Sequence, residues 1–324
     1  KLYFKFMDNA QVIHLDVIKK NLDINVLEKI IEEGFVSYSE GRVITPPVGE
    51  LVFDDPPGDT HIKYGYIKND THFVIKIASG FYENVKYNLP SGSGLMLVFS
   101  QKTGFLENIL LDEGYLTNVR TALAGKIAAK YLAPSKIDKI GVFGTGEMAK
   151  MQVTYLEDLV DCKDILVWGR SETSLMKYKS IMSENGYNVE ITQNQEDIAK
   201  NCNLIIMTTP SKEPLLQSID KNKGIHITAI GSDTHDKQEL NTSIFKDADI
   251  VATDSLEQCK HRGEIPHAVR DKFLDYKTII ELGAIIKTGN KYRKNEDQIT
   301  IADLTGMAVQ DIQIAKAVCQ TLKI

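Results

Sequence analysis

Long apolar runs are missing from this 324-residue chain, and none approaches the roughly 20 residues that cross a bilayer as a helix. No basic segment followed by an apolar one opens it, so no secretory leader is expected. Cysteine is scarce: Cys162, Cys202, Cys259 and Cys319 are widely spaced, with no CxxC pair and no Cys/His cluster. That excludes a disulfide scaffold, argues against a zinc site and fits a reduced, cytoplasmic protein, so no metal is expected. No single sign of charge dominates either. Lys and Arg number 38 against 44 Asp and Glu, a formal charge of −6 scattered without an acidic or basic tail. This is not the electrostatic footprint of a partner for nucleic acid or an anionic membrane. Repeats and low-complexity segments are also absent. What remains is an ordinary globular composition, 43% apolar and 25% charged, long enough for about two domains. A small ligand or a protein partner is the class left open.

Residues 11–40 read as a helix-rich opening, with Val17, Ile18, Leu22, Val26, Ile30, Ile31 and Phe35 at roughly helical spacing until Gly41 stops the pattern. Pro46, Pro47, Pro56, Pro57 and Gly58 then mark a loop-rich stretch. Strand-like runs follow at 61–67, 72–77 and 95–100, separated by turn residues, which predicts an antiparallel sheet carrying a helix. Near residue 117 the texture changes. Thr117 is placed to cap a helix over 118–132. Beyond Pro134, strands at 139–143, 164–168, 188–192, 204–208, 226–230 and 249–252 alternate with helical stretches, and six parallel strands of this kind describe a doubly wound α/β sheet. A separate short strand at 299–304, a turn at Thr305-Gly306 and an amphipathic helix over 307–322 close the chain.

The first strand of the alternating region runs into Gly144-Thr145-Gly146-Glu147-Met148-Ala149, a G-x-G-x-x-A segment between strand and helix. Gly144 permits the tight turn, Gly146 admits a pyrophosphate to the backbone, and Ala149 keeps the helix close to the strand. The phosphates would rest on the helix N-terminus at Glu147 and Met148. The βα context makes this a Rossmann-type dinucleotide fingerprint and not a bare glycine turn. The next strand ends Val167-Trp168-Gly169-Arg170-Ser171, with Arg170 and Ser171 where an NAD enzyme carries an acid for the ribose hydroxyl. That favours NADP over NAD. Ligands bind at the carboxyl edge of such a sheet, so Thr208, Thr209, Ile230, Gly231 and Ser232, just past the fourth and fifth strands, are further cofactor candidates.

Outside the fingerprint, Lys76 stands in Phe73-Val74-Ile75-Lys76-Ile77-Ala78, where burial of an ammonium is costly. It is either on an outer strand face or there to meet a substrate carboxylate or reacting nitrogen. Lys63 occupies a similar run. Arg120, read in the first turn of the Thr117 helix, opposes the helix dipole, which suggests a planar fork for a carboxylate or phosphate in place of an ordinary surface pair. Asp233 follows the fifth strand, as a general base or partner of a cationic imine, or else as a loop acid.

In order, Lys76 with Asn84, Leu116-Thr117-Asn118-Val119-Arg120-Thr121-Ala122, the Gly144 fingerprint, Val167–Ser171, Ile230-Gly231-Ser232-Asp233 with Lys237-Gln238-Glu239-Leu240, and Asp303 to Asp311 resemble the ornithine cyclodeaminase/mu-crystallin family over about residues 40–320. The stretch at 61–66 with Ala78–Tyr82 looks most like the branch of ectoine-utilisation gene sets. The resemblance implies a homodimer. It implies a substrate-binding and dimerisation α+β domain over 1–116 with 306–324, and an NAD(P)-binding domain over 117–305. It implies that Lys76 and Arg120 hold substrate, that Asp233 assists proton chemistry at the amine, and that Thr121, Lys237, Thr305 and the adjoining Gly306 lie beside the cofactor. The reference activity converts ornithine to proline and ammonia through an imine. Other members are amino-acid dehydrogenases or imine reductases, and mu-crystallin is in part a non-catalytic NADPH binder. Many members carry an Arg just after the proline near residue 47, where this chain has Val48. Arg42 and Lys63 are the candidates to replace it. Glu50, Asp54 and Asp55 are candidates for the acid that binds a second substrate amine.

Overall fold

A computed structural model describes residues 10–323. The described chain opens with strand β1 (Gln11–His14), helix α1 (Leu15–Asn21) and helix α2 (Ile24–Ser39). Asp23 starts α2 by accepting hydrogen bonds from the amides of Asn25 and Val26, and Leu27, Ile31 and Phe35 form its buried stripe. Gly41, at φ +70°, ends it with backbone bonds from Gly41 and Arg42 to Tyr38 and Ser37. The opening is therefore less helical than its spacing predicts, because Gln11–His14 pairs as an edge strand. Strands β2 (Val43–Ile44), β3 (Gly49–Asp54), β4 (Pro57–Ile67), β5 (His72–Phe81), β6 (Gly92–Ser100) and β7 (Leu106–Leu111) follow. They form a sheet in the order β1-β7-β6-β5-β4-β2 with β3 also on β4, antiparallel except at β1–β7.

Helix α3 (Tyr115–Leu132) begins two residues before Thr117. Asp112, not Thr117, holds its first turn, accepting from the Leu116 amide at 2.8 Å. Arg120 consequently sits in the second turn, where the helix dipole opposes it less. Then come β8 (Ile140–Phe143), α4 (Glu147–Thr154), β9 (Asp164–Trp168), α5 (Glu172–Glu184), β10 (Asn188–Thr192), α6 (Gln195–Asn201), β11 (Leu204–Met207), β12 (Ile225–Ala229), β13 (Ile250–Thr253), α7 (Ile265–Arg270), β14 (Ile280–Glu281), α8 (Leu282–Lys287), β15 (Ile299–Asp303) and α9 (Ala308–Leu322).

The eight strands from β8 on form one parallel sheet in the order β10-β9-β8-β11-β12-β15-β13-β14. This corrects the six strands expected. Beyond the short β14, the strand read as a separate terminal piece is β15, hydrogen-bonded between β12 and β13. Ile140 and Val142 enter one apolar cluster and Phe143 the other, while Leu204 and Ile206 oppose Ile205 and Met207. Successive side chains thus feed cores on both faces, as a parallel sheet requires. The chain divides into two compact units: the described residues up to Arg120 with those from Met307, and Thr121–Gly306. In the first unit, α9 returns against α2. A Cβ at Gly34 would lie 2.9 Å from Gln313 Cγ, and Gln313 donates to the Ile30 carbonyl at 2.9 Å.

Candidate functional site

The parallel sheet reverses its strand order between β8 and β11, the position where such sheets bind ligands. Gly144 leaves β8 at φ +111°, a conformation that glycine alone adopts readily. A Cβ there would fall 2.6 Å from Thr208 Oγ1. Thr208 closes the turn by donating from both its amide and its hydroxyl to the Phe143 carbonyl, at 3.1 and 2.7 Å. Gly146 begins α4 with no capping side chain, and a Cβ on it would meet nothing within 4 Å. The amides of Glu147 and Met148 are left to an anion, and Ala149 is fully buried behind them. These residues fit a dinucleotide pyrophosphate. At the end of β9, Arg170 is exposed, and Ser171 caps α5 by accepting from the Ser174 amide at 3.3 Å, so its hydroxyl hydrogen remains free to donate. The Thr121 carbonyl accepts from buried Gln152 at 2.9 Å, where Gly125 lets α3 and α4 approach closely.

The other carboxyl-edge turns are held by buried acids. Glu239 accepts from the Thr209 amide (2.6 Å), the Thr209 hydroxyl (2.7 Å) and the Gly231 amide (2.9 Å). Glu264 accepts from the amides of Glu239 and Leu240, and Asp303 from those of Glu264 and Ile265. Asp254 accepts from the Gly306 amide at 2.6 Å and the Thr305 hydroxyl at 3.2 Å. All four are at most 1% exposed. Burial pushes Glu239 up to about 7 and Glu264, which also faces Glu239, up to about 8; burial and then Glu264 raise Asp303 well above the carboxylate range. The Ile230 amide bonds the Met207 carbonyl, and the Ser232 hydroxyl is turned inward onto the Lys237 carbonyl at 2.6 Å. Asp233, its side chain 41% exposed, takes the Lys237 ammonium at 2.5 Å, so these two residues expected at different tasks form one ion pair.

In the first unit, Lys63 and Lys76 are register partners across β4 and β5. They lie on one face and are 6% and 2% exposed, so neither stands on an outer strand face. Arg120, 5% exposed, gives Nε to Asp311 of α9 at 3.1 Å, and Gln310 donates to its carbonyl. Asp311 engages Nε alone, which leaves the two Nη groups unspent on that pair. Its Oδ2 is buried without a donor among the described residues. Arg42 lies elsewhere: 49% exposed, it pairs with Glu40 at 2.8 Å beside the last residues of β4, four positions from Lys63. Glu50 is bonded to His61 at 2.9 Å, while Asp54 and Asp55 are exposed.

Sequence reasoning gave no role to Glu239, Glu264, Asp254 or Asp311. The signal was present for Asp303, an acid in the apolar run Ile299–Leu304, by the same logic that singles out Lys76. Among the described residues no group of His, Cys, Asp and Glu is arranged to hold a metal ion, and no helix is long and apolar enough to cross a membrane.

The chain is 33% identical over 297 residues to an uncharacterised cyclodeaminase of Sinorhizobium fredii, covering 91% of this chain and 89% of that one. It is 34% identical over 292 residues to the alanine dehydrogenase of Archaeoglobus fulgidus, covering 89% and 87%. The solved structure of an archaeal alanine dehydrogenase dimer with bound NAD superposes with a TM-score of 0.87 at 29% identity, covering 97% of this chain and 96% of that one. The sequence profile of the ornithine cyclodeaminase/mu-crystallin family matches residues 9–323. With that match over nearly its whole length, the chain belongs to the ornithine cyclodeaminase/mu-crystallin family, and it is an enzyme.

Proposed function

We propose that this enzyme uses a nicotinamide dinucleotide to interconvert an α-amino acid and its imine, as an amino-acid dehydrogenase or imine reductase. The observation that carries the reading is Arg120, buried and engaged by Asp311 through Nε, in the unit that also places Lys63 and Lys76 on one sheet face. Lys63 and Lys76 bind the substrate carboxylate, and Arg120, oriented through Asp311, offers its Nη edge to the same anion. When bound, the dinucleotide supplies a hydride donor or acceptor for the substrate α-carbon; Gly144, Gly146 and the α4 amides hold its pyrophosphate. Asp233 takes or returns the proton at the substrate nitrogen, and its half-exposed carboxylate can exchange that proton with water. Thr208, Thr209, Gly231, Thr305 and Gly306 contribute edge turns to the cofactor, and Lys237 sets the orientation of Asp233.

Arg170 and Ser171 favour NADP, because a guanidinium and a hydroxyl suit a 2′-phosphate. Titration with NADPH and NADH tests this, and tighter binding of NADH overturns it. Cyclodeamination of a diamino acid is the second reading, supported by the similarity to the Sinorhizobium cyclodeaminase. It needs an acid for the second amine. Glu50 is engaged by His61, and Asp54 and Asp55 face solvent, which favours net redox chemistry. We further propose a homodimer through the outer sheet face, where Ile62, Tyr64, Tyr66, Ile75, Ile77 and Leu97 stay half-exposed. A screen of α-keto acids with ammonia, cyclic imines and ornithine decides the reaction. Stoichiometric consumption of NAD(P)H with an imine is expected. Release of proline and ammonia from ornithine without net change in cofactor would overturn the redox reading.

A further inference from the structure

Resting on the reading that the fingerprint binds a dinucleotide, we propose that Glu239 is a positioning residue for the nicotinamide half of that cofactor. The sheet has two halves that meet at the β8–β11 reversal. In folds of this type each half takes one mononucleotide of the ligand. The fingerprint and Arg170 belong to the half built from β8, β9 and β10. The turns after β11 and β12 belong to the other half, and one carboxylate ties them together: Oε1 of Glu239 accepts from the amide and hydroxyl of Thr209, Oε2 from the amide of Gly231. The two turns touch so closely that a Cβ on Gly231 would stand 2.2 Å from the Thr209 carbonyl oxygen. Three donors converge on the two oxygens of Glu239, and its ionised form presents acceptor lone pairs on both.

Glu239 is itself held. Glu264 accepts from the amides of Glu239 and Leu240, and Asp303, at the end of β15, accepts from those of Glu264 and Ile265. Each acid grips the backbone of the segment carrying the next. The series begins in the central strand β15 and ends on the two turns. None of the three is exposed enough to touch solvent freely, so their hydrogen bonds serve geometry and not solubility. Glu239 reaches the reaction only through the turns it fixes.

The test compares Glu239→Gln with the parent by calorimetric titration of NAD(P)H and, separately, of AMP and adenosine 2′,5′-bisphosphate. Glutamine keeps one acceptor and turns an NH2 toward a donor, so one turn is released. We expect dinucleotide affinity to fall about tenfold, the scale of one broken charged hydrogen bond, with the adenosine fragments bound within about twofold of the parent. A merely structural defect lowers both affinities alike, and that outcome overturns the proposal, as does an unchanged ratio. Where Glu239→Gln does not fold, Thr209→Val serves instead. It removes the hydroxyl donated to Glu239 and is expected to move the same ratio in the same direction by a smaller factor; an unmoved ratio again overturns the proposal. A parent protein that binds no dinucleotide overturns the functional reading itself and is seen before any variant is made.

Discussion

Two sets of buried charges, one in each unit, are handled in opposite ways. In the parallel-sheet unit the buried acids Glu239, Glu264, Asp303 and Asp254 accept from backbone amides, each bond closing a turn. In the other unit the buried cations Lys63 and Lys76 are set opposite each other on one sheet face, and Arg120 commits only one edge to Asp311. A charge fully spent on the backbone shapes the chain. A guanidinium held by its acid through Nε turns its other edge to an anion. The difference separates scaffold from site more sharply than burial alone, since both sets are equally hidden.

The comparison can be broken first at Asp233, the half-exposed acid that belongs to neither set. Asp233→Asn keeps shape and removes the proton acceptor, so turnover on the best substrate falls about 10³-fold while cofactor affinity is kept. Parent-like turnover would remove Asp233 from the chemistry. Next, Lys76→Met is expected to lower kcat/KM roughly 100-fold, the upper end for a lost charged hydrogen bond. A large fall in Tm with kcat/KM intact would move Lys76 into the scaffold class.

The acids make a smaller prediction with a definite sign. Their folded pKa values are raised, to about 7 for Glu239 and about 8 for Glu264, above the ordinary 4.5. The folded state therefore binds more protons than the unfolded chain. Their contribution to stability is complete below about pH 4.5 and is lost as pH rises through 7 to 8. A scan of Tm from pH 6 to 9 should fall by several °C, on the order of what one or two pKa units supply. A flat or rising profile would mean these acids are not protonated in the fold. The smallest effect is expected at Arg42, whose exposed pair with Glu40 is worth little. Arg42→Ala should leave KM and Tm essentially unchanged, and a tenfold rise in KM would return Arg42 to the substrate.

Local signals in the sequence carried far where the physics is local. The fingerprint strand, its positive-φ Gly144 and the strands at 164–168 and 188–192 are written in contiguous residues. The apolar neighbours of Lys76 singled it out but left two strand faces open, and the structure buries it. Long-range partners were not legible. Arg120 is fixed by Asp311, 191 residues away, and Glu239 by turns 8 and 30 residues earlier. Short edge pieces such as Gln11–His14 have no strong pattern of their own and are strands only because β7 supplies a ladder. The position of β15 is topological, and spacing along the chain carries no trace of it. Arg42 drew attention as a cation near Val48, and its pair with Glu40, two residues away, is equally local.

The late arrival of β15 has a consequence for how the molecule is made. Strands β12 and β13 are never neighbours, since their shared ladder partner is synthesised after both. The residues that follow, from Met307, then complete the other unit as α9. A nascent chain emerges N-terminus first, and domains ordinarily finish folding in that order. Here neither unit can close until the stretch from Ile299 has left the ribosome. Both units are thereby obliged to mature together, and a stop codon shortly before Ile299 would leave one unit without β15 and the other without α9.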